Sequence, residues 1–287
     1  MRRSLSTMVK AGTLVVLLYP VIWIVAASLK PGSEALSSVS LRPSELTWSN
    51  YSTGWTGVAG ASFGQFFVNS LVVAAGSLAG NVVSCLLAAF AFTYLRFPLR
   101  RLWYAAVICT LLLPQHVLLI QQYMLFRELG WLNTPLPLIV PKILATDSFF
   151  VLLMVQFLRI LSERYDESAR MDGAGPFQLF WHVILPLSRP ALVATAILSF
   201  VWAWNDFFPQ LVYLPLVEDS TVPSGLHQYA IAEGLAAPGP MFAMCVLAIV
   251  PMLVVFVAFQ RLLISSVAPG RMYADLPIQL SSARRPR

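Results

Sequence analysis

Few residues in this chain are able to do chemistry, and most of them argue against catalysis. Gly60-Ala61-Ser62-Phe63-Gly64 has the G-x-S-x-G spacing of a hydrolase nucleophile turn. That turn needs a strand before the serine and a helix after it, but a connection rich in Ser, Gly, Trp and Pro precedes Gly60. The spacing is read as chance. The three lysines, Lys10, Lys30 and Lys142, are followed by Ala, Pro and Ile. None closes the G-x-x-x-x-G-K-[ST] loop that cradles nucleotide phosphates. Cys85, Cys109 and Cys245 lie in apolar runs with no C-x-x-C partner and read as small buried side chains, not metal ligands.

Two groups of polar residues remain. Gln121 and Gln122, and the run Trp204-Asn205-Asp206, interrupt otherwise apolar sequence. The second group is Leu161 to Pro190, LSERYDESARMDGAGPFQLFWHVILPLSRP. It concentrates Glu163, Asp166, Glu167 and Asp172 with Arg164, Arg170 and Arg189, close to Arg159.

The elements that position these groups follow from composition. Of 287 residues, 58% are hydrophobic and 11% charged, against roughly 25% charged in a soluble domain. The apolar residues fall in long blocks, so the fold class is all-α and polytopic, with helices spanning a bilayer. Six spans are predicted: Ala11–Leu29, Phe66–Tyr94, Leu102–Phe126 (interrupted by Pro114), Ile143–Leu158, Ala191–Leu214 and Met241–Ile264. The first, with its basic start and Ala26-Ala27-Ser28, also fits a cleaved secretory signal; its length and the layout of the other spans favour a retained helix. In the second, Gly76, Gly80, Ser84 and Ala88 recur every four residues, a small-residue stripe that admits a close neighbour. Three regions result: 1–65 with the first span and an external loop, 66–264 as the spanning core, and 265–287 as a basic cytoplasmic tail.

Orientation follows from Lys and Arg. With both termini inside, fifteen of the nineteen fall on inside segments; Lys30, Arg42, Arg127 and Lys142 fall outside. That bias places 161–190 in the cytoplasm. It accounts for the net charge of +6 without a nucleic-acid partner. It also leaves His182 on the wrong side to serve Ser62. The amides of Gln121 and Gln122 at membrane depth either bond a neighbouring helix or line a wet path. Asp206 lies sixteen residues beyond Pro190, about 24 Å along a helix and near the far face. Asn205 and Asp206 either fix that helix end or face the same path.

Within 161–190, Ser162 is placed to cap a short helix with acidic residues in its first turn. Asp172-Gly173 and Gly175 make a bend, Pro176 starts a second helix over Phe177–Ile184, and Pro186 and Pro190 close it. Phe177, Phe180 and Trp181 then share an apolar face with no home in this chain. It either lies on lipid or enters a groove of a cytoplasmic protein.

Here the sequence resembles a known family. Glu167-Ser168-Ala169, three residues, Gly173, nine residues and Val183-Ile184-Leu185-Pro186 resemble the EAA loop of ABC importer permeases. Ser28-Leu29-Lys30-Pro31 with Glu34, Asn50-Tyr51, Asn69-Ser70, Leu132-Asn133-Thr134, Met171-Asp172-Gly173-Ala174 and Trp204-Asn205-Asp206-Phe207 are similar to the carbohydrate-uptake branch, the maltose/glycerol-3-phosphate type. They most resemble its smaller six-span subunit. The likeness covers about residues 28–261. Ser168 replaces the usual second Ala, Ser162 stands where Pro is common, Gln121-Gln122 replaces a common Pro-Leu, and the ending LLISSVAPGRMY departs from the usual Gly-rich one.

The resemblance implies a type I ABC importer transmembrane domain in a bacterial cell membrane. It implies a non-catalytic permease with no cofactor of its own. Its partners would be a second homologous permease, a dimer of cytoplasmic ATPase subunits carrying ATP and Mg, an extracytoplasmic binding protein and membrane lipid. Glu167, Ser168, Ala169, Asp172, Gly173, Phe177, Phe180, Trp181 and Pro186 would form the ATPase-coupling joint. Gln121, Gln122, Trp204, Asn205 and Asp206 would face a sugar or sugar derivative, Trp204 as a stacking surface. The rivals are an ion-coupled secondary transporter, for which no paired broken helices in an inverted repeat are evident, and an intramembrane hydrolase at Ser62.

Overall fold

The computed structural model describes residues 2–32, 34–37, 40–171, 175–232 and 238–267. The described residues form helices joined by turns and loops, with one isolated bridge between Val58 and Ala61. In chain order the helices are α1 (Arg2–Ser28), α2 (Glu34–Ser37), α3 (Ser49–Thr56), α4 (Phe63–Tyr94), α5 (Arg100–Leu111), α6 (Leu119–Glu128), α7 (Leu136–Ile143) and α8 (Ser148–Met171). Then come α9 (Pro176–Leu179), a π turn (Phe180–Ile184), α10 (Leu185–Leu187), α11 (Arg189–Asn205), α12 (Phe208–Tyr213), α13 (Val222–Ala232) and α14 (Pro238–Val267). Four stretches are long and apolar enough to cross a membrane: Thr7–Ser28, Phe63–Tyr94, Leu136–Ser162 and Pro238–Gln260. Two broken pairs, Arg100–Leu111 with His116–Glu128 and Pro176–Leu187 with Arg189–Asn205, raise the number to six if each counts as one span.

Proline explains the break in the third span. Pro114 is extended at φ −62°, ψ 119° and is followed by a single 3-10 turn, Gln115–Leu118. It has no N–H to continue α5. The fourth span differs from expectation. It starts at Leu136, not Ile143, because Pro137 sits in the first turn of α7, where a missing N–H costs nothing. The helix stops after Ile143, Ala145 takes a left-handed φ of 57°, and α8 begins at Ser148. Lys142 therefore belongs to this span and not to an external connection.

The chain condenses into two units: 1–77 with 114–141 and 200–254, and 78–113 with 142–199 and 255–287. In the first unit, side-chain amides hold the long connections. Asn50 Nδ2 donates to the carbonyls of Ser28 and Lys30, both at 2.8 Å, and Lys30 Nζ donates to Ser40 O at 2.6 Å. Asn69 Nδ2 donates to Glu218 O (2.9 Å) and Ser220 O (3.0 Å), and Ser70 Oγ accepts from Val222 N (2.7 Å). Asn133, left-handed at φ 58°, donates its N–H to Tyr213 O at 3.0 Å. Gly225 admits the fully buried Phe66 ring.

Among the described residues, the second unit is built on an apolar core. Cys85, Leu86, Ala89 and Phe90 of α4 meet Phe150, Val151, Met154, Val155, Leu158 and Leu161 of α8, with Phe180, Ile184 and Ala191. The small-residue stripe packs as expected. Gly80 lies against the backbone of Lys142 and Ile143, and Ser84 Oγ donates to Lys142 O at 2.8 Å.

A Cβ at position 225 would sit 2.3 Å from Phe66 Cδ2. Gly225→Ala is therefore expected to destabilise by about 1–3 kcal/mol despite the better helix propensity of Ala. Gly12→Ala lies inside α1 and its Cβ meets nothing within 4 Å, so it is expected to melt at or slightly above wild type in detergent.

Candidate functional site

The stretch 161–190 is built differently from the two-helix expectation at its start. Ser162 caps nothing: α8 runs unbroken through it to Met171, and Ser162 Oγ donates to Arg159 O at 2.9 Å inside the helix. Glu167, Ser168 and Ala169 occupy the last turns of that helix. Asp172 and Gly173 lie outside the described residues.

The second helix starts as expected. Gly175 is extended (φ −68°, ψ 162°), Pro176 occupies the first turn, and Gln178 Oε1 accepts from Gly175 N at 3.3 Å. Pro186 does not end it. The helix continues to Leu187 and widens into the π turn at Phe180–Ile184. Pro186 offers no N–H to the carbonyl four residues back, and π turns accommodate such a defect. A bend of 69° at Ser188 separates this helix from α11.

The three aromatics of this helix do not share one free face. Phe180 is buried against Phe90, edge to face at 5.0 Å, within the core of the second unit. Phe177 and Trp181 remain 75% and 50% exposed and touch each other at 6.1 Å. Three residues at about 100° each leave Phe180 about 60° round the helix from Phe177, which turns it toward Phe90 while Phe177 and Trp181 stay together. Phe180 anchors the helix, and the outward surface is Phe177 with Trp181. On the flank, Arg159 of α8 lies over the Tyr104 ring of α5 at 4.8 Å, a cation–π contact.

The second group of residues separates as well. Trp204 is 2% exposed, stacked on Phe200 at 5.7 Å, edge-on to Phe67, with Nε1 donating to Ala248 O at 3.1 Å. A buried indole presents no face to a sugar, which corrects the stacking role expected for it. Asn205 Nδ2 donates to Val201 O at 2.7 Å, back into its own helix, and lies near Met252 Sδ at 3.4 Å. Gln122 Oε1 accepts from Tyr213 OH at 2.9 Å, a bond between α6 and α12. Gln121 is exposed and Asp206 half-buried. Outside the spans, Asp219 is raised above the usual carboxylate range by burial and by the like charge of Glu218.

Sequence reasoning missed a third group. Lys142 Nζ pairs with Asp147 Oδ1 at 2.7 Å across the break in the fourth span. Asn81 Nδ2 donates to Asp147 Oδ2 at 2.7 Å and to Ser199 Oγ at 2.9 Å. The available signal was a Lys and an Asp five residues apart in an apolar run. No cluster of three potential metal ligands occurs among the described residues.

Residues 80–269 match the family described as binding-protein-dependent transport system inner membrane component. This chain belongs to that family. It is 30% identical over 257 residues to the diacetylchitobiose uptake system permease protein of Streptomyces coelicolor, covering 89% of this chain and 84% of that one. It is also 30% identical over 268 residues to the sn-glycerol-3-phosphate transport system permease protein of Salmonella typhi, covering 91% and 95%. A solved bacterial ABC transporter involved in import of the acidic polysaccharide alginate shares the fold, with a TM-score of 0.72, 22% identity and coverage of 90% and 94%. The permease is thus a multi-pass membrane component of an ABC importer. Its family is one of non-catalytic transport subunits, neither hydrolases nor ion-coupled carriers.

The packing separates two roles within one short helix. Phe180→Ala removes a core ring and is expected to cost about 3–5 kcal/mol. Thermal melting of the purified permease then falls well below wild type, while Phe177→Ala and Trp181→Ala melt with it.

Proposed function

We propose that the permease forms half of the translocation path of an ATP-driven importer for a sugar or sugar derivative. In this reading it couples to a separate ATPase through 161–190. The relatives' names support a saccharide or polyol-phosphate cargo. The observation that carries the coupling role is the exposed Phe177–Trp181 pair. It sits on a rigidly seated helix in the most charged stretch of the chain, on the side where most Lys and Arg fall.

The mechanism follows from stiffness. α8 is a single helix of 24 residues, about 36 Å long. Phe180 and Ile184 lock the short helix to α4 and α8 through one close-packed core. A push on Phe177 and Trp181 by closing ATPase subunits moves this body as a unit, and rigid-body movement is how such interfaces transmit a switch. Glu167 brings charge to the end of α8. Asp172 and Gly173 belong to the same joint in this reading. The partners are a second homologous permease, a pair of ATPase subunits that hold ATP and Mg, and an extracytoplasmic binding protein. Both termini lie in the cytoplasm of a bacterial cell.

Gly173→Asp is expected to abolish ATP-driven uptake while the protein stays in the membrane. Trp181→Ser with Phe177→Ser should lose the ATPase on co-purification, with thermal melting unchanged. Normal uptake by Gly173→Asp, or uptake insensitive to vanadate in the wild type, would overturn the coupling assignment.

A further inference from the structure

The Lys142–Asp147 pair is unexplained by coupling. It sits deep in the membrane. Asn81, which holds it, is the nineteenth of 32 residues in α4, about 27 Å from one end of that helix and about 20 Å from the other. The backbone between Ile143 and Ser148 is not helical. Irregular backbone and ionised side chains at this depth occur where protein buries them or where they line a wet cavity. Here burial is incomplete, since the Lys142 and Asp147 side chains remain 25% and 19% accessible. Asn81 is 1% exposed, yet its Oδ1 has no hydrogen-bond partner. A buried amide oxygen without a donor costs about 1–3 kcal/mol. The cluster therefore presents three unspent capacities: donors on the Lys142 ammonium, lone pairs on the Asp147 carboxylate and the Asn81 carbonyl.

We infer that Lys142, Asp147 and Asn81 form a subsite that contacts an uncharged saccharide during passage; this rests on the reading of the chain as a sugar permease. The chemistry selects the class of ligand. A hydroxyl group both donates and accepts, so it bridges an ammonium and a carboxylate without breaking their pair. An N-acetyl group adds an N–H for the Asn81 carbonyl. A phosphate or uronate competes with Asp147 for Lys142 and is repelled by the carboxylate it displaces. The same fold elsewhere serves an acidic polysaccharide. In this chain the cation is already neutralised, and Phe63–Tyr94 and Pro238–Gln260 contain no other Lys or Arg.

The test is equilibrium binding to the purified transporter complex without its binding protein. The probes are radiolabelled diacetylchitobiose and maltose as neutral ligands, and glycerol 3-phosphate and an alginate disaccharide as anionic ones. Wild type is expected to retain a neutral probe. Asp147→Asn keeps the shape and still accepts from Asn81, but frees the Lys142 charge. It should weaken neutral binding about tenfold and strengthen anionic binding by a similar factor. Lys142→Met should weaken neutral binding without any anionic gain. Both variants are expected to melt below wild type, because each leaves one charge of the pair without its partner; opposite shifts in neutral and anionic binding are what a merely structural role does not produce. Unchanged selectivity in Asp147→Asn, or a parallel loss of neutral and anionic binding, overturns the subsite and leaves the sugar-permease reading standing. Retention of anionic probes alone by the wild type also overturns it. Binding of no saccharide, with no ATP-driven uptake of any probe after reconstitution with the binding protein, overturns that reading and the subsite with it.

Discussion

A hydrocarbon layer offers no hydrogen bonds, and the architecture of this permease depends on that constraint. Every backbone amide in a span must bond within its own helix, which is why long apolar runs become helices here. The exceptions are informative for the same reason. Where the fourth span breaks after Ile143, side chains replace the missing regularity: Ser84 bonds the Lys142 carbonyl, and Lys142 bonds Asp147. Gly80 makes this possible, because only a residue without Cβ lets α4 approach that backbone.

The same constraint explains the polar residues of the first unit. Asn50, Asn69 and Ser70 belong to motifs that suggested the family, and each spends its side chain on backbone of a distant connection. Their role is to fold long loops outside the helical ladder. Trp204 has a related fate: its indole N–H finds Ala248 O and its ring joins a buried aromatic stack. A motif residue near a path is thus a scaffold residue. In the stretch 161–190, the core claims Phe180 and leaves Phe177 and Trp181 outside. Anchor and exposed surface adjoin in one short helix, so movement of one carries the other.

The sequence by itself determined the class, the approximate spans, the positive-inside bias, the small-residue stripe of α4 and the polar stretch 161–190. These follow from composition and local periodicity, which the bilayer imposes residue by residue. It did not determine which aromatic faces outward, because the Phe90 core that claims Phe180 is assembled from distant residues, and Ser162 and Pro186 read as boundaries where the helix in fact continues. Nor did it reveal the Lys142–Asp147–Asn81 cluster. Asn81 reaches partners 66 and 118 positions away, and only packing brings such residues together. Periodicity reports whether a side chain is buried; the tertiary structure alone decides against what.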